Sequence, residues 1–370
     1  MERAIRRRVE RDGWISYRAF MEWALYHPED GYYTRPGMMT GRRGDFSTSP
    51  DVAPAFGRRL AVQAAEIHSL LGGGSWRMVE LGPGRGLLAG DLLEGLERHA
   101  PASLAALEEV VLVEISSSLR EVQRRHLAAW SERVEVTWAA GLEGLPAVEG
   151  VVLANEFFDA LPVHLVERRG GDVLEVGVAL AAGGELRLEA GPRAEATVAA
   201  IAEDYALVPR EGDRAEVCSA LPGVLAELAR ILPRGGALVV DYGLPAAILG
   251  DRAHREGTAV GYFEHRVVTD LLARPGRQDL TAHVNWDHLE DTARAAGFTV
   301  VGRTWQDRFL MALGLLEDLA APEGGDEDPA ATAERLAARA LILPGGGGKR
   351  FEVLGLARGL AGPWRGWSMG

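Results

Sequence analysis

The chain is nearly devoid of cysteine, with Cys218 alone among 370 residues. One thiol excludes an internal disulfide framework and a cysteine-ligated metal cluster. The count fits a reducing compartment, and a cytoplasmic location is expected from it. Lysine is just as scarce: Lys349 is the only one, and all other basic residues are arginine. A codon-usage bias of the source genome accounts for that without invoking a site. Basic residues are outnumbered, 40 against 53 acidic, for a net charge of −13. Phosphate neutralisation needs a net basic face, so broad nucleic-acid binding is not expected. Long apolar runs are missing too. No stretch approaches the roughly 20 apolar residues of a membrane span, and none is expected. Met1 to Arg11 carries five arginines, as mitochondrial leaders do, but Glu2, Glu10 and Asp12 interrupt the pattern. The segment reads instead as an amphipathic helix ending at Gly13.

What remains is an ordinary globular composition, 47% hydrophobic and 25% charged, long enough for one enlarged α/β domain or two domains. The middle of the chain alternates strands with helices, the pattern of a parallel sheet. Strands are predicted at Val79–Leu81, Glu109–Glu114, Val134–Trp138, Gly150–Ala154 and Gly236–Tyr242, with helices at Leu87–Arg98, Leu119–Trp130 and Leu225–Leu232. Unbroken apolar strands imply helices on both faces. Between the fourth and fifth strands, alternation broken by Gly170-Gly171 and Gly183-Gly184 predicts an antiparallel meander over Val163–Leu188. A second insertion, Pro245 to Trp286, is weakly periodic, as binding loops and lids often are. A helix at Asp287–Ala296 and a strand at Phe298–Val301 follow, with Phe351–Leu356 as its partner at the sheet edge; Ala321–Ala331 reads as a mobile acidic loop. The expected divisions are an N-terminal segment (1–70), a Rossmann-like core (71–162 and 225–244), an inserted substrate or lid subdomain (163–224 and 245–286), and a C-terminal part completing the sheet (287–370).

Glu80-Leu81-Gly82-Pro83-Gly84-Arg85-Gly86 joins a predicted strand to a helix, where a ligand can rest on backbone N–H groups. A nicotinamide fingerprint needs a third glycine where Leu87 stands and an acid about 20 residues on, nearer than Glu114. A phosphate loop needs a Lys-Ser or Lys-Thr pair that the chain lacks. The remaining ligand reading is the E-x-G-x-G-x-G loop of S-adenosylmethionine enzymes, with Glu114 accepting both ribose hydroxyls. A purely structural tight turn is the plainer alternative. The fourth strand ends in Asn155-Glu156-Phe157-Phe158-Asp159-Ala160-Leu161-Pro162, and ligands meet open α/β sheets at such carboxyl ends. An amide and two acids beside two rings suit a cation; Asp159 as a helix cap is the structural alternative.

These residues, together with Gly31-Tyr32-Tyr33, Gly44-Asp45-Phe46-Ser47-Thr48-Ser49-Pro50, Val113-Glu114-Ile115-Ser116, Asp241-Tyr242-Gly243, Asp279 to Val284, and Gln306 with Arg308-Phe309-Leu310, resemble the MidA-type methyltransferases. The eukaryotic members of that family are mitochondrial complex I assembly factors. The resemblance covers nearly the whole chain. It implies a class I S-adenosylmethionine-dependent methyltransferase fold with the N-terminal segment packed over the cofactor side, S-adenosyl-L-methionine as cofactor, and, from the eukaryotic members, ω-nitrogen methylation of an arginine on a complex I subunit. Carried over by position, Gly82, Gly84 and Gly86 meet the methionine part of the cofactor and Glu114 the ribose, with Asp45, Thr48 and Ser49 nearby. Glu80, Pro83 and Ile115 are counted with the same site.

Methylating a guanidinium requires that a nitrogen be positioned and lose a proton during attack. Glu156 and Asp159 are the expected clamp and base, with Asn155 orienting the nitrogen. His283 is an alternative base or a structural hydrogen-bonding residue, and Tyr242 lines the pocket or packs the core. Two other functions stay open at this level: a small-molecule methyltransferase closed by the second insertion, and a non-catalytic assembly chaperone that binds the cofactor.

Overall fold

The computed structural model describes residues 1–35, 48–320, 328–343 and 347–368. Its centre is a seven-stranded sheet of β1 (Trp76–Leu81), β2 (Leu107–Val113), β3 (Glu135–Ala139), β4 (Glu149–Asn155), β5 (Arg234–Asp241), β6 (Thr299–Trp305) and β7 (Glu352–Arg358). Across the sheet the order is β6-β7-β5-β4-β1-β2-β3. All neighbouring pairs from β5 to β3 are parallel, and β7 runs antiparallel to both β5 and β6. Phe351–Leu356 was expected at the edge; instead β7 lies inside and β6 takes the edge. The chain winds outward from β1 to β3, then returns to place β4 on the other side of β1. That reversal opens a crevice at the carboxyl ends of β1 and β4.

Strand side chains alternate between two cores. Met78, Val110, Leu112, Val151, Leu153, Leu238 and Val240 face the helices Ala55–Leu70 and Leu87–His99. Val79, Leu81, Val111, Val152, Ala154, Ala237 and Val239 face Leu221–Ile231 and Trp286–Ala295. Burial on both sides explains why these strands read as unbroken apolar runs. On the first face two helices touch through Gly95, where an added Cβ would lie 2.6 Å from Arg58 Cα.

The meander forms as expected, with strands His164–Arg169, Asp172–Leu180 and Leu186–Arg193 turning at the two glycine pairs. It also recruits Arg214–Val217 and the N-terminal Ile15–Ser16, which pairs with Val178 and Gly177. Residues 1–70 therefore divide. The helices Glu2–Asp12 and Tyr17–Tyr26 join the meander in a third core, whereas Ala55–Leu70 belongs to the main sheet. The first helix stops at Gly13, whose φ of 77° closes it as the sequence implied. The second insertion has more order than its periodicity shows: Val260–Phe263, Arg266–Val268 and Asp279–Thr281 build a small antiparallel sheet. Glu216 helps to link it to the first insertion by accepting from the Thr258 and Ala259 N–H groups. Of the loop expected at Ala321–Ala331, residues 321–327 lie outside the described residues, and Pro329 opens a helix capped by Asp328.

Candidate active site

A cavity of about 940 Å³ sits in the crevice beyond β1, β2 and β4. Its floor on one side is the glycine loop. Gly82, Gly84 and Gly86 take φ values of 60°, 54° and 77°, left-handed conformations that favour glycine. Gly82, Pro83 and Gly84 line the cavity, and a Cβ placed on Gly84 would meet no protein atom within 4 Å. A ligand can therefore lie directly on the main chain there. Gly86 is a correction to the expected contact set. It starts the helix Leu87–His99 and lies against Gln123, whose Cγ would be 3.2 Å from an added Cβ, and the cavity lining does not include it.

Glu114 closes β2 and is only 5% exposed. Its Oε1 accepts from Ser116 N–H (2.7 Å) and its Oε2 from Gln123 Nε2 (3.2 Å). Gln123 also donates to Gly84 O (2.7 Å) and accepts from Trp138 Nε1 (2.9 Å), so one buried amide fixes the loop, the acid and β3 together. Burial pushes the Glu114 carboxyl up to about 7 against these hydrogen bonds. Glu80, at the end of β1, is pushed up to about 8 by burial and by Asp91, and its Oε2 has no partner among the described residues. A pair of buried acids flanking a bare main-chain cradle fits a ligand with an amino group and paired hydroxyls, as S-adenosylmethionine is. Ile115, half exposed, completes this wall.

The other end of the cavity is built by the turn after β4. The Glu156 N–H continues the ladder to Val240 O (2.7 Å), and then the chain turns through Glu156 itself at φ 50°. A non-glycine residue held in the left-handed region signals a locally imposed strain, as functional turns often carry. Asp241, fully buried at the end of β5, holds the turn. Its Oδ2 accepts from Phe158 N–H (2.9 Å) and Asp159 N–H (3.3 Å), and its Oδ1 from Tyr242 N–H (2.9 Å). Asp159 is thus no helix cap. Its Oδ2 accepts from the Tyr242 hydroxyl at 2.5 Å, while Oδ1 has no partner among the described residues. Burial and the neighbouring Asp159 push Glu156 up to about 8; burial pushes Asp159 up to about 6, held back first by Tyr242. Asn155, beside Glu156, leaves its Oδ1 unpartnered as well.

Around these acids stand Tyr26, Tyr33, Phe157, Tyr242, Tyr262 and Phe351. Tyr26 donates to Ala160 O (2.9 Å) and Tyr33 to Asp279 Oδ1 (2.7 Å), so their rings are fixed at the wall. Arg350 reaches the rim and donates to the Tyr262 hydroxyl (2.9 Å).

The expected residues separate into three groups. Glu80, Gly82, Pro83, Gly84, Glu114, Ile115, Thr48, Asn155, Glu156 and Asp159 all line the cavity. Ser49 and His283 do not. The Ser49 hydroxyl donates to Gln306 Oε1 (2.9 Å), leaving only its backbone N–H to steady Glu156. His283 stands behind Tyr242, edge-on to its ring at 5.4 Å, and burial lowers its pKa to about 4. Without a place in the cavity it is corrected from candidate base to a neutral packing residue. Asp45 lies outside the described residues.

Residues 59–304 match the model of the Methyltransf_28 family, described as "Putative S-adenosyl-L-methionine-dependent methyltransferase". The chain belongs to this family. Among curated proteins, the Methyltransf_28 chain is 30% identical to the mouse (Mus musculus) protein arginine methyltransferase NDUFAF7, mitochondrial, over 96% of its own length and 84% of the relative's. The zebrafish (Danio rerio) protein of the same name is 32% identical over 82% and 74%. The crystal structure of a superfamily member from Burkholderia thailandensis bound to S-adenosyl-homocysteine superposes with a TM-score of 0.88, at 31% identity, over 100% of this chain and 94% of that one. S-adenosylmethionine is therefore the cofactor of the Methyltransf_28 chain, which is an α/β methyltransferase. The expected cytoplasmic location is overturned, because the curated relatives are named mitochondrial. A low cysteine count fits any reducing compartment and does not choose among them.

Glu114→Ala is expected to weaken S-adenosylhomocysteine binding by about 1.5–3 kcal/mol, the usual worth of hydrogen bonds to a charged group. Equal calorimetric affinity for both forms would remove Glu114 from the ribose.

Proposed function

We propose that this methyltransferase acts on the ω-nitrogen of an arginine in a protein, with a respiratory complex I type subunit as the substrate. The observation that supports this best is the pairing of Glu156 and Asp159 on one cavity wall, beside tyrosine and phenylalanine rings and next to the glycine loop. Acids with aromatic faces suit a planar cation. The names of the mouse and zebrafish relatives agree with that acceptor, and the sequence resemblance to complex I assembly factors supplies the partner.

When bound, S-adenosylmethionine supplies an electrophilic methyl whose bond to sulfur breaks, electron pair to sulfur, as the acceptor nitrogen bonds to carbon. Gly82 to Gly84, Glu80 and Glu114 hold the cofactor end of the cavity. Glu156 and Asp159 receive the guanidinium. Before the acceptor binds, burial and Asp159 keep Glu156 largely protonated at neutral pH in spite of Arg350; a further positive charge favours its ionised form, so acceptor binding expels a proton. The carboxylates then orient one nitrogen toward the methyl and accept its proton. Asn155 orients the same nitrogen, and the rings exclude water.

Methyl-labelled cofactor, purified protein and a lysate lacking this protein test the reading. Label in a protein band is the expected result. Label confined to a small-molecule extract favours a small-molecule acceptor, and bound cofactor with no transfer favours a non-catalytic role.

A further inference from the structure

The two oxygens of Asp159 differ in kind. Oδ2 is tied to the Tyr242 hydroxyl at 2.5 Å, and Oδ1, in a residue 5% exposed, has no partner among the described residues although Asp159 lines the cavity. Asp241 pins the backbone N–H groups of Phe158, Asp159 and Tyr242. We propose that Tyr242 is a positioning residue that locks Asp159 Oδ2, so that Asp159 Oδ1 takes the proton from the acceptor nitrogen and Glu156 serves as the clamp. The assignment rests on the arginine reading above and divides its labour between two acids that sequence and position alone leave equivalent. In the proton step, the N–H bond of the acceptor breaks as the O–H bond on Oδ1 forms, and the proton passes to solvent after product leaves.

The groups facing Asp159 agree with that division. Glu156 comes from its own turn, Asp241 and Tyr242 from the end of β5, Arg350 from the C-terminal segment, and Tyr26 and Tyr33 from the N-terminal wall. Burial and Asp159 hold the Tyr242 phenol well above its usual range, so it stays a donor at every working pH. The donated bond, first among the groups that favour the charged form of Asp159, is joined by the backbone N–H groups of Ala160 and Asp159 and by Arg350, whereas at Glu156 Arg350, Asn155 and the Ser49 N–H work against both burial and the charge of Asp159. Near neutral pH, Asp159 is the acid already poised to accept.

Tyr242→Phe keeps the ring that packs on His283 and Phe351 and removes only the hydroxyl. The direct test is an infrared pH titration of the S-adenosylhomocysteine-loaded protein with ¹³C-labelled aspartate, the Asp159 band identified by its loss in Asp159→Asn. In Tyr242→Phe its midpoint is expected to rise by roughly one to two pH units, the equivalent of one hydrogen bond to a charged group. The acid limb of single-turnover transfer should move up by the same interval, so that the rate falls several-fold at pH ~7 and recovers at pH ~9. An unmoved midpoint, or a rate loss equal at every pH, overturns the assignment. A moved midpoint in a protein that methylates no arginine supports the Tyr242–Asp159 pairing and refutes the acceptor, so the two failures read differently.

Discussion

Asp159→Asn is expected to lower single-turnover methyl transfer by about 10²–10⁴-fold, the usual worth of general-base assistance, and Glu156→Gln, which weakens the clamp on the acceptor, by a smaller factor, each with S-adenosylmethionine affinity unchanged. Both substitutions preserve shape. Each puts an amide where the acceptor complex needs a carboxylate, and in Asp159→Asn that amide cannot take the proton from nitrogen. The two carboxyls lie on the turn after β4, while the proposed cofactor cradle lies on the turn after β1 and at Glu114, so rate and cofactor affinity should separate. Asp159→Asn also places an amide against the Tyr242 hydroxyl, and its loss should be the larger of the two. Stopped transfer at constant cofactor concentration, with calorimetry on the same samples, checks this. Wild-type rates in both variants would refute the two-carboxylate mechanism, and parallel losses of rate and affinity would move these acids into the cofactor site.

Gly84→Val should abolish cofactor binding altogether. At φ 54° a branched residue is strained, and its Cβ would project into open space at the cavity, where no protein atom lies within 4 Å and where the cofactor is proposed to lie. The strain is local, since Gly84 packs against nothing there, so thermal unfolding should remain cooperative. Calorimetry with S-adenosylhomocysteine then shows no heat of binding in a folded protein. Retained affinity would take the glycine loop out of the site.

Much of this was legible from residue order because a parallel sheet writes its strands as short apolar runs and its ligand site at their carboxyl ends. Glu80 to Gly84, Glu114 and Asn155 to Asp159 were each found by that rule. Contacts between elements distant in sequence were not legible. Gln123 is an unremarkable helical polar residue until folding sets it between Gly84 and Glu114. Asp241 ends β5 as Asn155 ends β4, so position marked it, yet its task of holding the Phe158–Asp159 turn depends on packing. His283 failed for the opposite reason: its residue type suggests chemistry, and only the fold shows Tyr242 standing between it and the cavity. Ser49 and Gly86 stand beside residues that line the cavity, Thr48 and Pro50 in one motif and Gly84 and Arg85 in the other, while they themselves support neighbouring structure. Arg350 lies far along the chain, and nothing in a glycine-rich segment points it toward the turn after β4.

The most direct measurement is tandem mass spectrometry of the protein methylated by the purified enzyme with isotope-labelled methyl groups. The label is expected on an ω-nitrogen of arginine, appearing at least about 100-fold more slowly with Asp159→Asn than with the wild-type enzyme. Label on any other atom, or arginine labelling at the wild-type rate in Asp159→Asn, would contradict it.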